Sequence, residues 1–143
     1  MPACAMLRPV NHGGGTARMS RCFLILGSLN AMLAVIFGAF GAHGLRGRLP
    51  ESMLAVYHTG VQYHVFHALG LFLLGLLAQR LSGSALLRAA GWIMFAGIVL
   101  FSGSLYLLAL SGQRWLGMVT PLGGLAFILA WLLTAVAVYR DLE

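Results

Sequence analysis

Four stretches of the chain carry no formal charge: 22–45, 52–79, 89–113 and 115–139, which are 24, 28, 25 and 25 residues long. A helix needs about 20 apolar residues to cross the hydrocarbon of a bilayer, so each stretch is long enough. Arginine bounds every one of them on at least one side. Only 8% of the residues are charged and 60% are hydrophobic, whereas about a quarter of the residues in soluble domains are charged. A chain of this kind cannot cover itself with polar surface, so lipid must be its main solvent. A soluble bundle would show polar stripes at helical spacing, and none of the four stretches does.

The expected fold is therefore all-α: an integral membrane four-helix bundle in one domain, with spans at about 22–43, 60–79, 88–110 and 118–139. Residues 1–18 contain two prolines and a triple glycine without any apolar period, which predicts a disordered tail. Met19 then opens MSRCFLILGSLNAMLAVIF, which reads like a natural start. Its apolar run is too long for a signal peptide, so it is expected to stay as the first span.

The connections are short. Pro50 and Glu51 suit the first turn of a helix. From Pro50 to Gln79, however, a single helix would measure about 45 Å against an apolar core of about 30 Å. Residues 50–58 are accordingly expected to form a short interfacial helix between spans 1 and 2, with Met53, Val56 and Tyr57 facing lipid and a bend at Gly60. Ser84 is expected to cap the third helix, and Thr120 followed by Pro121 to open the fourth.

The net charge is +6, and all nine basic residues are arginines. They lie at helix ends and in the tail, which marks them as topology determinants and headgroup contacts and excludes a nucleic-acid partner. With four spans, Arg8, Arg18, Arg21, Arg80, Arg88 and Arg140 share one side, and Arg46, Arg48 and Arg114 share the other. Six against three puts both termini in the cytoplasm. Cys4 lies in the tail and Cys22 at a helix start, so neither a disulfide framework nor a zinc site is suggested. Small residues recur at helix-packing intervals, at Ala34, Gly38 and Ala42 in four-residue steps, and in a comparable stripe at Gly123, Ala130, Thr134 and Ala137. Such stripes let helix backbones approach in lipid.

GAFGAHGL (38–45), YHTGVQYHVFHALG (57–70), LFSGSLYLLAL (100–110) and VTPLGG (119–124) together resemble the small multi-pass membrane proteins of the family known as domain of unknown function 423. That family includes YgdD-like and YwdK-like bacterial proteins and is related to the animal transmembrane protein 256. The resemblance runs from about Met19 to Arg140 in the same motif order. It implies a four-span protein of the bacterial inner membrane and brings no activity, so no catalytic, cofactor-binding or metal-binding residue is carried over. His58 and His64 stand where members of that family carry other polar residues, while His67 belongs to a matching Phe-His pair.

One constellation asks for an explanation. His43, His58, His64 and His67 fall in the same leaflet by chain order, and Ser102 and Ser104 come from the matching half of the third span. This candidate polar cluster has a plain reading: imidazoles and hydroxyls that hydrogen-bond across helices. It is also the place to look for function, because polar groups within a membrane are expensive. Haem or metal ligation would need two or three of the histidines, but the spans hold no acid to orient an imidazole. A serine nucleophile in FSGS would lack its third partner. A small transporter or channel-like protein could use the histidines as a proton relay, although the three acids lie outside the spans. The expectation is an inner-membrane protein with a structural, accessory or assembly role and no cofactor. Its partners are the lipid bilayer and either further copies of itself or other membrane proteins.

Overall fold

The computed structural model describes residues 13–81 and 83–141. It contains four helices long and apolar enough to cross a membrane, and no strand among the described residues. Helix α1 is α-helical over Gly13–Ala39 and closes with a π-helical segment, Phe40–Leu45. Helix α2 runs over Glu51–Arg80. Helix α3 spans Ala85–Ser111 and carries a second π-helical segment at Ile98–Ser102. A 3-10 turn, Arg114–Met118, leads into α4, Thr120–Asp141.

Local chemistry sets the ends of these helices. Pro50 precedes α2 with Glu51 in its first turn, where proline loses no hydrogen bond and a carboxylate meets the positive end of the helix. Ser84 caps α3 by accepting from the Leu87 N–H at 3.3 Å. Gly112 stops α3 in the left-handed region, φ 71°, and its N–H returns to the Leu108 carbonyl at 2.9 Å, a conformation glycine adopts at no steric cost.

Four expectations need correction. No separate interfacial helix forms, because Glu51–Arg80 is one unbroken helix. Tyr57 does not face lipid: it is 2% exposed and donates to the Phe37 carbonyl at 2.9 Å. The extra helical turns are held in the bundle by this ring, which lies against Gly41. The tail expected to be disordered is helical from Gly13, as continuation of α1 beyond the hydrocarbon satisfies its backbone groups; residues 1–12 lie outside the described residues. Finally, Thr120 does not cap α4 with its side chain. Its hydroxyl faces Ser104 at 2.8 Å.

The packing follows a seven-residue step. On α1 the buried positions Ser20, Gly27, Ala34 and Gly41 form one row, and Phe23 and Asn30 belong to a second. On α2 Tyr57, His64, Leu71 and Ala78 repeat in the same way, as do Leu116, Gly123, Ala130 and Ala137 at and within α4. Seven residues advance a helix to within about 20° of two full turns, whereas four residues overshoot one turn by about 40°. Two four-residue steps from Ala34 therefore carry Ala42 to the edge, and it is exposed while Gly41 is buried. Gly38 is half-buried, close to Val61. This is the repeat of left-handed bundles.

Neighbouring helices run antiparallel, as the contacting pairs show. Ser20 donates to the Gly75 carbonyl at 2.8 Å, Gly27 lies on Phe72, and Gly41 on Tyr57. At Gly27 a Cβ would sit 2.6 Å from the Phe72 nitrogen, so two backbones touch. Gly123 is in the same position against the Phe101 backbone, and Gly91 and Gly97 each lie under a ring, Phe23 and Phe127. The outer faces carry large apolar side chains such as Val35, Phe66, Leu76, Leu107 and Ile128, which is the surface lipid accepts.

Backbone contact of this kind predicts how substitutions behave. Gly27→Ala and Gly123→Ala should each cost about 1–3 kcal/mol, the usual range for overpacking. Gly103→Ala, where a Cβ meets nothing within 4 Å, should be neutral. Equilibrium unfolding in mixed micelles checks this; equal sensitivity at Gly27 and Gly103 would contradict the seam.

Candidate functional site

The six residues of the expected polar cluster do not share one site. His43 and His58 are exposed on their helices. His67 is buried toward α4: its Nδ1–H donates to the Tyr63 carbonyl at 2.7 Å, and its ring stacks on Phe127 with centroids 3.4 Å apart. Ser104 is buried; it donates to the Phe101 carbonyl of its own helix at 2.9 Å, and its contact with the Thr120 hydroxyl at 2.8 Å ties α3 to α4. Only His64 and Ser102 line a common space. Among the described residues, no three histidine, cysteine or acidic side chains stand close enough to hold a metal ion.

That space is a groove of about 430 Å³ between α1 and α3, floored by α2. Asn30 and Phe37 come from α1, Tyr57 and His64 from α2, and Ser102 and Tyr106 from α3. Its rim is formed by Phe40, Val99, Leu107 and Leu110, all exposed and apolar. On a membrane helix such positions face acyl chains, so the groove opens sideways into the bilayer. Both π-helical segments contribute to it, Phe40 from the first and Ile98, Val99 and Ser102 from the second. A π turn widens the helix and re-aims the side chains on it, and such turns occur frequently at functional sites.

The floor is a hydrogen-bonded chain. The Asn30 amide donates from Nδ2 to the Leu26 carbonyl at 2.8 Å, which turns Oδ1 toward His64 Nε2 at 3.1 Å. Nε2 must then carry the proton. His64 Nδ1 is left as acceptor for the Tyr106 hydroxyl, 3.1 Å away. Every member is satisfied, and both imidazole nitrogens are in use. This leaves His64 without a free nitrogen for a metal, and the chain ends at the Asn30 amide, a group that does not take up a proton. Tyr106 also packs against Phe37 and Tyr57, with ring centroids 5.0 Å apart in each case, so three rings form an aromatic wall.

Ser102 is different. It is 1% exposed, and among the described residues its Oγ is the buried side-chain polar atom without a hydrogen-bond partner. Other hydroxyls on these helices turn back to a carbonyl, as Ser28 does to Leu24, Thr59 to Ala55 and Thr134 to Ala130. Ser102 ends the π segment and makes no such bond. Among the described residues no base lies within hydrogen-bond reach to activate it as a nucleophile.

Asn30 and Tyr106 are functional candidates that residue-level reading of the sequence passed over. Asn30 is the single amide within the apolar stretch 22–45, and a lone amide at mid-span is itself a signal.

Known proteins place the chain in a group without assigned chemistry. The family described as "Protein of unknown function (DUF423)" matches residues 37–124, a stretch that holds Tyr57, His64, Ser102 and Tyr106 but not Asn30. The UPF0382 membrane protein YwdK of Bacillus subtilis is 57% identical over 122 residues, covering 85% of this chain and 99% of that protein. A UPF0382 membrane protein of Staphylococcus epidermidis is 46% identical over 120 residues, covering 84% of this chain and 97% of its own length. No solved structure matches.

The Asn30–His64–Tyr106 chain predicts coupled stability effects. Asn30→Ala strands the His64 N–H, and Tyr106→Phe strands its other nitrogen. A double-mutant cycle between Asn30→Ala and His64→Ala should give a coupling of about 0.6–1.7 kcal/mol, the span measured for hydrogen bonds between membrane helices. Additive losses in that unfolding cycle would contradict the network.

Proposed function

We propose, on the premise that the chain belongs to the DUF423 family of membrane proteins, that it is an accessory protein of the bacterial inner membrane which holds an apolar, bilayer-dissolved molecule in the groove between α1 and α3. The groove itself carries this reading: a laterally open space of about 430 Å³ with aromatic walls and a closed polar floor, inside the size range of small-molecule sites. Its lining includes no charged side chain, which favours a neutral occupant over an ion or a charged substrate. The floor network favours holding over proton transfer, since it ends at the Asn30 amide, which does not take up a proton. Ser102 without a base favours binding over hydrolysis.

A photoactivatable alkyl diazirine dissolved in vesicles tests this. Tyr57 and His64, 2% and 3% exposed, can be labelled only by a probe inside the groove. Gly103→Phe, which fills it, should lower labelling of both at least several-fold, and Leu76→Phe on the lipid face should not. No labelling of either residue in the wild type would overturn the reading.

For orientation we propose that both termini are cytoplasmic. Among the described residues Arg18, Arg21, Arg80, Arg88 and Arg140 gather at one end of the bundle, against Arg46, Arg48 and Arg114 at the other. A reporter active only in the cytoplasm should work when fused after Glu143. Activity there from a reporter that works only outside the cytoplasm would reverse the assignment.

A further inference from the structure

We infer that the occupant of the groove is a membrane-dissolved quinone, whose ring lies against the Phe37–Tyr57–Tyr106 wall and whose carbonyl oxygen accepts a hydrogen bond from Ser102. This rests on the reading of the groove as a ligand site.

Ser102 Oγ is buried in the groove lining without a partner, although its i−4 carbonyl is the usual acceptor and Ser28, Thr59 and Thr134 each use theirs. Leaving a hydroxyl unpaired in an apolar setting is costly. The atom has less than 1 Å² exposed where it stands, so the Ser102 side chain must first turn out into the groove. A ligand oxygen that then accepts from it removes that cost, and a plain acyl chain does not.

No charged side chain lines the groove, and Asn30 and His64 lie near the middle of helices that span 17–45 and 51–80. A phosphate or carboxylate brought to that depth would find no counter-charge, which removes phospholipid headgroups and fatty acids. The head must be neutral.

Phe37, Tyr57 and Tyr106 stand with centroids 5.0 Å from ring to ring along the chain of contacts, the spacing aromatic rings favour. The rings are tilted by 62° and 45° to one another, so a planar ring finds edge-to-face partners among them that a flexible alcohol does not. Beyond it the rim at Phe40 and Leu110 is apolar and exposed, so a hydrocarbon tail can leave directly into the bilayer. Tyr106 stands one helical turn from Ser102 on α3 and gives its proton to His64. Ser102 is thus the hydroxyl on this face with a proton to offer a carbonyl.

The test measures binding of decyl-ubiquinone, and separately of 1-decanol, to the full chain in nanodiscs, with melting temperature as a second readout. Ser102→Ala should weaken decyl-ubiquinone about tenfold, which is about 1.4 kcal/mol for one lost hydrogen bond. The same change should raise the melting temperature of the ligand-free protein, because it removes a buried unpaired group. These opposite signs separate a ligand contact from a structural one. Gly103→Phe should abolish binding, and Leu107→Trp serves as a second filling variant if the first does not fold. Unchanged quinone affinity in Ser102→Ala, together with its loss in Gly103→Phe, overturns the quinone assignment and leaves the groove reading standing. Decanol binding as tightly as the quinone overturns the ring. A Ser102→Ala protein that loses both affinity and melting temperature makes Ser102 structural and overturns the proposal. Binding that survives both filling variants overturns the groove reading as well.

Discussion

Contact between the backbones of α1 and α2 is the constraint on which the rest of this bundle depends. In water two helices are driven together by burying apolar side chains, but lipid tails are as apolar as leucine and supply no such drive. What remains is dispersion between closely packed atoms, which falls off steeply with a gap of even an ångström. Glycine at position 27 lets α1 rest on the Phe72 backbone, and Gly75 receives Leu24 in the opposite direction. The Ser20 hydroxyl then reaches the Gly75 carbonyl. A bulky side chain at either glycine would force the helices apart, whereas a small one strains the contact without breaking it.

The same seam builds the groove. Asn30 and His64 occupy seam positions between the close contacts, so the amide and the imidazole are pressed to 3.1 Å without lipid or water between them. Toward the Phe40–Leu45 end the contact changes character, with Gly41 lying under the Tyr57 ring. Helix α3 meets α2 at Gly60, which accepts the edge of Tyr106. With α2 in contact with both neighbours, α1 and α3 diverge above it, and the space between them is the groove. The π turn at Ile98–Ser102 adds the last element, an inward hydroxyl that its own helix does not satisfy. A bundle designed only for stability would place an alanine there.

Much of this was legible in the sequence, and the parts that were not share a physical cause. The four charge-free stretches determine the fold class, because nothing but helices crossing lipid accommodates them. Ser84 as a cap was readable from one residue. The packing face was harder. Ala34, Gly38 and Ala42 look like a stripe at four-residue steps, yet the buried row steps by seven through Ser20, Gly27, Ala34 and Gly41. Both patterns contain Ala34, and only the crossing hand of the helices decides between them. The histidines misled for a related reason. His64 and His67 are three residues apart, which is enough to send one toward α1 and α3 and the other into α4 against Phe127. Sequence distance and shared depth do not make a cluster. The π turns have no sequence signature in IVLFS or FGAHGL, since they depend on how neighbouring helices fill the space around them.

Disulfide trapping in native membranes measures the central contact directly. In a chain with Cys4 and Cys22 changed to serine, cysteine is placed at position 72 together with cysteine at either position 27 or position 28. A Cβ on Gly27 stands 2.9 Å from that of Phe72, which reaches disulfide spacing after the backbones part by about 0.6–0.9 Å, whereas Ser28 is exposed on the outer face. The account predicts rapid oxidation within the monomer for Gly27→Cys with Phe72→Cys, and none for Ser28→Cys with Phe72→Cys. Trapping at 28 that equals or exceeds trapping at 27 would mean that α1 presents a different face to α2, and the seam and the groove floor built on it would both be wrong.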